Sequence, residues 1–356
     1  MPIFDFSYVK AEFEAVGSPE PKNWDDIYDA LKKLKAKYPD STPLGGRGKE
    51  LGQNFRQFFE QSFTSGKSGQ PAFNDQVVAF DPDKKEWYYG PTAPGFKDSI
   101  AFLAKLYKEK LLDNEYLTMD MNALQAKIKD KKVFMIDDYV GGLSGIGDLN
   151  PGGVLVPLPM PTFGGNAQIL GYTGSHVGDR GTVLSGSLKG DKLDRVLQML
   201  NYMYSDEFYD HLYWNPEVTG EKDGKKYYTN EGMYSGDAAV KDKYLPWSIM
   251  GGFQVDNETT TKAGTPYADY KLNVLTAEAN KDKYLQQPIL PFDTEQSKRL
   301  SEIQTTLTDY WNQTIDQFIV GKKSMDDWDG FISDLNGKGA EEEVAIYNEV
   351  YKKFFQ

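Results

Sequence analysis

Hydrophobic residues recur every three or four positions in several segments of the chain, and this spacing predicts amphipathic α-helices. The first such segment follows Asn23, a favourable N-cap residue, and ends before Pro39, which cannot continue a helix. Its apolar positions are Ile27, Ala30, Leu31, Leu34 and Tyr38. The same spacing predicts further helices at 96–112, 121–129, 188–204, in "DEFYDHLY" after Ser205, along 300–318, after Ser324 and along 344–354.

Short apolar runs between these helices predict β-strands. The segment "FNDQVVAFDPDKKEWYYG" predicts a hairpin that turns at residues 81–85, and "VFMI" at 133–136 predicts a buried strand. Prolines limit "VLVPLPMP" to an edge strand or to a piecewise path, and "QILGYTG" and "GTVLSGS" predict two more strands. The alternation of helices with short buried strands predicts an α/β fold.

Composition narrows the class of protein. With 356 residues, 39% of them hydrophobic, the chain is long enough for roughly two domains with buried cores. The formal charge of −13 argues against binding to nucleic acid or to an anionic membrane, because both need excess Lys and Arg. The absence of cysteine excludes disulfides, thiolate metal sites and cysteine nucleophiles. No stretch approaches 18 apolar residues and the start is unlike a signal peptide, so we expect either a cytosolic protein or a removed export signal.

Enzyme motifs are missing from the sequence. It contains no phosphate-binding P-loop, no H-E-x-x-H and no G-x-S-x-G. A glycosidase pair stays open, because its two carboxylates are separated in sequence and meet only in space. The segment "DPDKKE" at Asp81 offers oxygen ligands for calcium, yet a turn accounts for the same composition, and we expect no metal and no cofactor.

Five segments, taken in order, resemble a known family. They are "PEPKNWDDIYDALKKLKAKYPDSTPL", "YYGPTAPGFKDSIAFLAKLYKEKLLDNEYLTMD", "KVFMIDDYVGG", "RVLQMLNYMYSDEFYD" and "DQFIVGKKSMDDWDGFISDLNGKGAEEEVAIYNEVYKKF". Together they are similar to the family 1 extracellular solute-binding proteins, the carbohydrate-capturing subunits of bacterial ABC importers. The resemblance implies a two-lobed, periplasmic-binding-protein-like α/β fold with the ligand in an interlobe cleft, and no catalysis.

The resemblance also implies partners and a location. We expect an oligosaccharide ligand, delivery to the membrane subunits of an ABC permease, and a monomer that binds no nucleic acid. Members that resemble this chain are often lipid-anchored on the outer face of the membrane, through a cysteine in a leader that this sequence does not include. We therefore expect an extracellular, cell-surface lipoprotein.

Candidate ligand-binding residues combine aromatic rings for sugar faces with polar groups for hydroxyls. Asp138 and Tyr139 come just after the predicted strand 133–136, where the resembling loop of the family contributes an aromatic residue to the cleft. The other candidates are Trp214 and Glu217 in "YWNPEVTG", Arg47 in "LGGRG" and Trp247 in "LPWSIMGG". Two alternatives stay open: a polysaccharide-active enzyme with a carboxylate pair, and a binder of a non-sugar solute such as a peptide.

The resemblance also predicts how the chain divides between the lobes. Residues 1–165 and 291–356 are expected to form lobe two, and residues 166–290 to form the rest of lobe one. In similar proteins a segment of lobe one, on the order of a hundred residues, precedes the helix that corresponds to 23–39. We therefore expect a front-truncated chain with an incomplete first lobe, in which helix 188–204 exposes apolar residues.

Overall fold

The structure, a computed structural model, describes residues 4–51, 54–64, 78–81, 83–139, 155–158, 161, 163, 183–230, 240, 243–244 and 288–356. Contacts divide the chain into two compact units. Unit one comprises Met1–Ile3, Val140–Asp148 and Ser175–Ala279, and unit two comprises Phe4–Tyr139, Leu149–Gly174 and Asn280–Gln356. The lobe boundaries expected from the sequence, at 165/166 and 290/291, stay predictions.

Helices and strands alternate along the described residues, so the α/β class is confirmed. The strands are β1 (Phe4–Val9), β2 (Leu44–Gly45), β3 (Val78–Asp81), β4 (Glu86–Tyr89), β5 (Met135–Tyr139), β6 (Leu155–Leu158), β7 (Thr219–Lys222) and β8 (Lys225–Tyr228). The helices are α1 (Lys10–Ala15), α2 (Trp24–Lys37), α3 (Gly48–Leu51), α4 (Asn54–Thr64), α5 (Phe96–Lys108), α6 (Met121–Lys129), α7 (Asp191–Met203), α8 (Asp206–Tyr213), α9 (Thr294–Ile319), α10 (Trp328–Gly337) and α11 (Ala340–Phe355).

Helix α2 has the ends and the buried face that its sequence predicts. The side chain of Asn23 accepts a hydrogen bond from the backbone N–H of Asp26 at 2.8 Å, which satisfies a donor that the helix itself cannot. The helix ends at Lys37, before Pro39. Its predicted apolar stripe is buried, apart from the half-buried Tyr38.

A four-stranded mixed sheet, in the order β2-β5-β1-β6, is central to unit two. Strand β1 pairs antiparallel with β5 and with β6, and β2 pairs parallel with β5. The proline-containing β6 lies at an edge of the sheet, as predicted. Strand β5 begins two residues later and ends three residues later than the predicted strand 133–136. It extends because β1 pairs with its whole length, from Tyr8 opposite Met135 to Phe4 opposite Tyr139.

Aromatic rings fill the core between the sheet and the helices of unit two. The ring of Trp24 in α2 stacks on Phe59 in α4 with centroids 4.5 Å apart, and Phe6 of β1 packs edge-on against both. The indole N–H of Trp24 donates to Ser62 Oγ at 2.7 Å, so the buried donor is satisfied. This cluster fixes α2 and α4 against β1.

The predicted hairpin is present, and the helix after it is shorter than predicted. Strands β3 and β4 pair antiparallel, with Asp81 opposite Glu86. Helix α5 ends at Lys108 instead of Leu112, because Lys110 takes a positive φ of 57° and the N–H groups of Leu111 and Leu112 turn back to Leu106 O. These turns direct the chain toward β2.

Three C-terminal helices complete unit two. Asp293 and Gln296 form a capping box at the start of α9, and Ser324 caps a 3₁₀ turn that leads into α10. The predicted stripe of α11 is partly wrong: Glu343 lies on the buried side of the helix, whereas Phe354 is 53% exposed. Helix α11 packs on the hairpin, where the Asn348 side chain makes two hydrogen bonds to the backbone of Trp87, at 2.7 and 2.8 Å.

Unit one has a small described core. Ser205 caps α8 as predicted, and β7 pairs antiparallel with β8. The buried residues of this core are Tyr209, Trp214, Val218 and Tyr228. The strand predicted at "GTVLSGS" is wrong for residues 183–187, which form turns and coil, and the strand predicted at "QILGYTG" lies outside the described residues.

Helix α7 exposes apolar residues, as expected from the sequence. Met203 is its only buried residue, whereas Leu197 is 42% exposed and Met199 is 48% exposed. The prediction of an apolar exposed face is therefore confirmed for this helix. In the part of the chain that the structure describes, no helix is both long enough and apolar enough to cross a membrane.

Candidate functional site

Two of the predicted site residues, Arg47 and Asp138, form an ion pair in unit two. In the parallel pairing of β2 with β5, Gly45 lies opposite Ile136. Arg47 and Asp138 each follow two residues later, so the register brings them side by side. Arg47 Nε donates to Asp138 Oδ2 at 2.5 Å, and Arg47 Nη2 donates to Asp138 Oδ1 at 2.8 Å. This bidentate geometry fixes the guanidinium plane. Sequence reasoning selected both residues but not their contact, because 91 residues separate them.

The pair lies at the carboxyl ends of two parallel strands. The Asp138 side chain is fully buried, and the Arg47 side chain is 14% exposed. Asp138 belongs to β5 itself, which corrects the prediction that Asp138 and Tyr139 lie in a loop beyond the strand. Ligands of open α/β sheets bind beyond the carboxyl ends of the strands. The partly exposed guanidinium is therefore positioned where a ligand could contact it.

A second buried carboxyl group, Asp137, adjoins this pair. Among the residues that the structure describes, no other residue makes a hydrogen bond to either of its oxygens. Burial raises the pKa of Asp137 well above its usual range and the charge of Asp138 raises it further, while Arg47 has the opposite effect. These effects favour the protonated, uncharged form of Asp137. The charges of Arg47 and Asp138 oppose each other at this end of the sheet.

A buried carboxylate, Asp113, holds the short strand β2 in place, and sequence reasoning did not select it. Asp113 accepts hydrogen bonds from Thr42 Oγ1 at 2.6 Å and from Lys127 Nζ at 2.9 and 3.0 Å. Its backbone N–H donates to Leu44 O at 2.8 Å. These contacts join three segments that are distant in sequence. Asp113 could not be identified from the sequence, because its role depends on contacts that exist only in the folded protein.

The backbone after Arg47 is constrained by a close approach at Gly48. A Cβ atom at Gly48 would lie 2.5 Å from the Cα of Leu117 and 2.5 Å from Tyr116 O, so no larger residue fits without a backbone shift. The Gly48 N–H donates to Tyr116 O at 3.0 Å. Arg47 is therefore held between β2 and a fixed glycine.

The remaining predicted site residues of unit two and unit one are not brought to this pair by any described contact. Tyr139 is the last residue of β5 and of the first segment of unit two, but its side chain and all of Trp247 lie outside what the structure describes. Trp214 is 8% exposed and stacks on Tyr228 with centroids 5.1 Å apart. This burial argues against Trp214 as a stacking surface for a ligand. Glu217 is exposed in a turn of unit one.

The described residues give little support to a metal site. They contain no group of three or more His, Asp or Glu side chains that could hold a metal ion. The Asp81 carboxylate, considered above for calcium, accepts hydrogen bonds from the backbone N–H groups of Asp83 and Lys84 at 3.0 and 3.1 Å. These hydrogen bonds are typical of an aspartate that stabilises a turn, which explains the presence of Asp81 in this segment.

Comparison with solved structures shows the fold. The chain is similar to alginate-binding protein AlgQ2 (TM-score 0.70, 16% identity, covering 98% of this chain and 72% of that one). It is also similar to the Streptococcus pneumoniae ABC-transporter substrate-binding protein FusA in complex with kestose (TM-score 0.68, 17% identity, 98% and 72%). A third match is an HMO-binding, ABC-transporter-associated solute-binding protein from Bifidobacterium longum infantis (TM-score 0.65, 16% identity, 98% and 73%).

Comparison of sequences shows the family. No curated protein matches the chain. The family described as bacterial extracellular solute-binding protein matches residues 6–210, which is more than half of the 356 residues and includes both Arg47 and Asp138. The family resemblance found in the sequence is thus confirmed. This chain belongs to the bacterial extracellular solute-binding protein family.

Proposed function

We propose that this chain captures an oligosaccharide outside the cell and delivers it to the membrane subunits of an ABC importer, without chemical conversion. The observation that carries the proposal is the fixed Arg47–Asp138 pair at the carboxyl ends of β2 and β5 in a member of a binding-protein family. The names of the structural neighbours support the ligand class, since they include alginate-binding, HMO-binding and kestose-bound proteins.

The geometry of the pair suits recognition of a sugar. Sugar hydroxyls need donors and acceptors in fixed positions, and a guanidinium held by a buried carboxylate does not have to be ordered when ligand binds. In the proposal, Arg47 contacts ligand hydroxyls, Asp138 orients Arg47, and the ring of Tyr139 packs on a sugar face. Asp138 is a positioning residue because its side chain is fully buried.

The adjacent carboxyl groups do not form a glycosidase pair. Side chains of consecutive strand residues point to opposite faces of a sheet, so Asp137 and Asp138 cannot face one groove. Both are also fully buried, and Asp138 is engaged by Arg47. A retaining or inverting glycosidase needs two carboxyl groups on either side of the same scissile bond. We therefore keep binding without turnover as the proposed activity of a monomeric, lipid-anchored protein.

A ligand screen with two variants tests the proposal. Thermal unfolding of the purified chain is measured with millimolar neutral tri- and tetrasaccharides (1-kestose, maltotriose, xylotriose, lacto-N-tetraose) and with tri- and tetrapeptides. We expect at least one saccharide, and no peptide, to raise the melting temperature through mass action. Arg47→Gln should weaken that binding about tenfold to a hundredfold, because a charged hydrogen-bond donor is lost.

The matched control is Arg299→Gln. Arg299 also pairs with a carboxylate through two hydrogen bonds, to Glu342 at 2.6 and 2.7 Å, but it lies in α9 with its side chain 49% exposed. This variant should bind the saccharide as the unmodified chain does. Stabilisation by peptides alone, or equal losses in the two variants, would contradict the proposal.

A further inference from the structure

We propose that the Arg47–Asp138 pair makes this site selective for uncharged oligosaccharides over uronate-bearing ones, because Asp138 already occupies the cation that a ligand carboxylate would need. This inference rests on the proposed function and specifies its ligand class. The fold leaves that class open, since function is set by the residues of a site and not by its fold.

The geometry of the pair carries the first step. Both oxygens of Asp138 accept hydrogen bonds from the Arg47 guanidinium, at 2.5 and 2.8 Å. A bidentate arginine–carboxylate pair is among the strongest hydrogen-bonded contacts of side chains, and Asp138 is fully buried. A uronate would have to lose its hydration shell and compete with a carboxylate that is already in place. Its desolvation would therefore be poorly compensated.

Two described lysines that flank the segments of the pair are already engaged by carboxylates. Lys49, which follows Arg47 by two residues, pairs with Asp120 at 3.1 Å. Lys127 pairs with Asp113 at 2.9 Å and with Glu115 at 2.7 Å. Among the residues that the structure describes, Lys49 and Lys127 thus have carboxylate partners of their own.

The backbone register places another acidic residue on the sheet itself. Asp5 of β1 lies directly opposite Asp138. The whole chain carries a formal charge of −13. A polyanionic glycan would meet this field as it approaches, whereas a neutral glycan would not.

Neutral sugars do not need a free cation. Their hydroxyls bind to polar groups whose charge is already balanced, so the Arg47–Asp138 pair can contact them without being broken. Asp138 consequently has two effects: it fixes the guanidinium, and it reduces the attraction of that guanidinium for anions. The second effect is the one that determines specificity.

Removal of one charge tests this inference. Isothermal titration calorimetry at pH 7 and low salt compares 1-kestose, maltotriose, xylotriose and lacto-N-tetraose with trimannuronate and trigalacturonate. The unmodified chain should bind at least one neutral glycan at least tenfold more tightly than either uronate. Asp138→Asn removes the negative charge that Arg47 Nε and Nη2 contact, and the affinity of this variant for a uronate trisaccharide should rise at least tenfold over that of the unmodified chain.

Asp120→Asn is the matched control. It changes the net charge by the same amount and frees Lys49 on the surface, and asparagine can still cap α6 as Asp120 does. This variant should gain no uronate affinity. The double variant Arg47→Gln/Asp138→Asn should also lose the gain, because it removes the cation that Asp138→Asn exposes.

The results distinguish this inference from the proposed function. A uronate bound by the unmodified chain as tightly as the neutral glycans overturns the inference and leaves oligosaccharide capture intact. An Asp138→Asn variant that folds but gains no more uronate affinity than Asp120→Asn also overturns it. Binding of no glycan by the unmodified chain refutes the proposed function, and this inference with it. If Asp138→Asn does not fold, the inference is tested by whether the unmodified chain binds neutral glycans more tightly than uronates.

Discussion

Helices α2 and α7 carry the same sequence signals for an amphipathic helix, yet the protein buries their apolar residues to different extents. Each carries an apolar stripe at helical spacing and acidic residues in its first turn. In α2 the residues Ile27, Ala30, Leu31 and Leu34 are fully buried, whereas α7 buries only Met203. The comparison teaches that a stripe specifies a helix and the side to be covered, but not whether a neighbour covers it.

The difference has an energetic consequence. Burial of a leucine or isoleucine side chain stabilises a fold by roughly 1.5 to 3 kcal/mol, so the stripe of α2 contributes several such increments to unit two. Leu197 in α7 is 42% exposed and contributes far less. The stability of unit two should therefore depend on its stripe, whereas that of unit one should be insensitive to changes at the exposed positions of α7, such as Leu197.

The largest expected effect comes from Trp24, the residue that joins α2 to the aromatic core. Its side chain is 1% exposed, stacks on Phe59 and donates a hydrogen bond to Ser62. Trp24→Ala should lower the free energy of unfolding by about 3 to 5 kcal/mol, through lost burial and a new cavity. Urea denaturation followed by far-UV circular dichroism measures this loss.

A conservative variant separates packing from the hydrogen bond. Trp24→Phe keeps a ring beside Phe59 but removes the indole N–H, so it should lose about 1 to 3 kcal/mol. Equal losses for Trp24→Ala and Trp24→Phe would show that the ring stack contributes little. That outcome would weaken the contrast drawn between α2 and α7.

An effect of intermediate size on stability is expected for Glu343, an acidic residue that is buried in unit two. Glu343 is 1% exposed, and burial raises its pKa to about 7, although a hydrogen bond from Gln304 has the opposite effect. Because the folded-state pKa lies above the unfolded value of 4.5, the folded state binds more protons. The contribution of Glu343 to stability is thus fully present below pH 4.5 and is lost as pH rises through about 7. Glu343→Gln should remove this dependence and stabilise the protein at pH 8, relative to pH 5, by on the order of 2 to 3 kcal/mol.

The neighbouring Glu342 provides the control for that measurement. Its side chain is 46% exposed, and hydrogen bonds from Arg299 lower its pKa. Glu342→Gln should leave the slope of stability between pH 5 and pH 8 unchanged, since Glu342 titrates below this range. Parallel pH profiles for Glu343→Gln and the unmodified protein would mean that Glu343 is not the group responsible.

The smallest effect is expected in α7. Leu197→Ala should change the free energy of unfolding by no more than about 0.5 kcal/mol, as is usual for an exposed position. Leu31→Ala in α2 is the matched substitution and should cost about 2 to 5 kcal/mol. Denaturation of the two variants under the same conditions checks the pair. A loss of several kcal/mol for Leu197→Ala would show that this residue is buried in solution.

Local sequence accounts for much of the secondary structure. The caps at Asn23, Ser205 and Ser324 and the apolar spacing of the helices act between residues a few positions apart, and these features were predicted. The end of β5 was missed because two aspartates look unlike a buried strand, and only the pairing of β1 along Asp137 and Asp138 retains them in the sheet. The buried position of Glu343 was missed because the rotation of α11 depends on what packs against it.

The candidate site shows the same division. The sequence by itself determined the family, the α/β class and the choice of Arg47 and Asp138, because motifs and residue types are local properties. Tertiary structure alone decided that these two residues form a bidentate pair, that Asp113 and Gly48 hold Arg47 in place, and that Trp214 is buried in a small core. The physical reason is that strand register and close packing bring together groups dozens of residues apart, and no local pattern records which groups will meet.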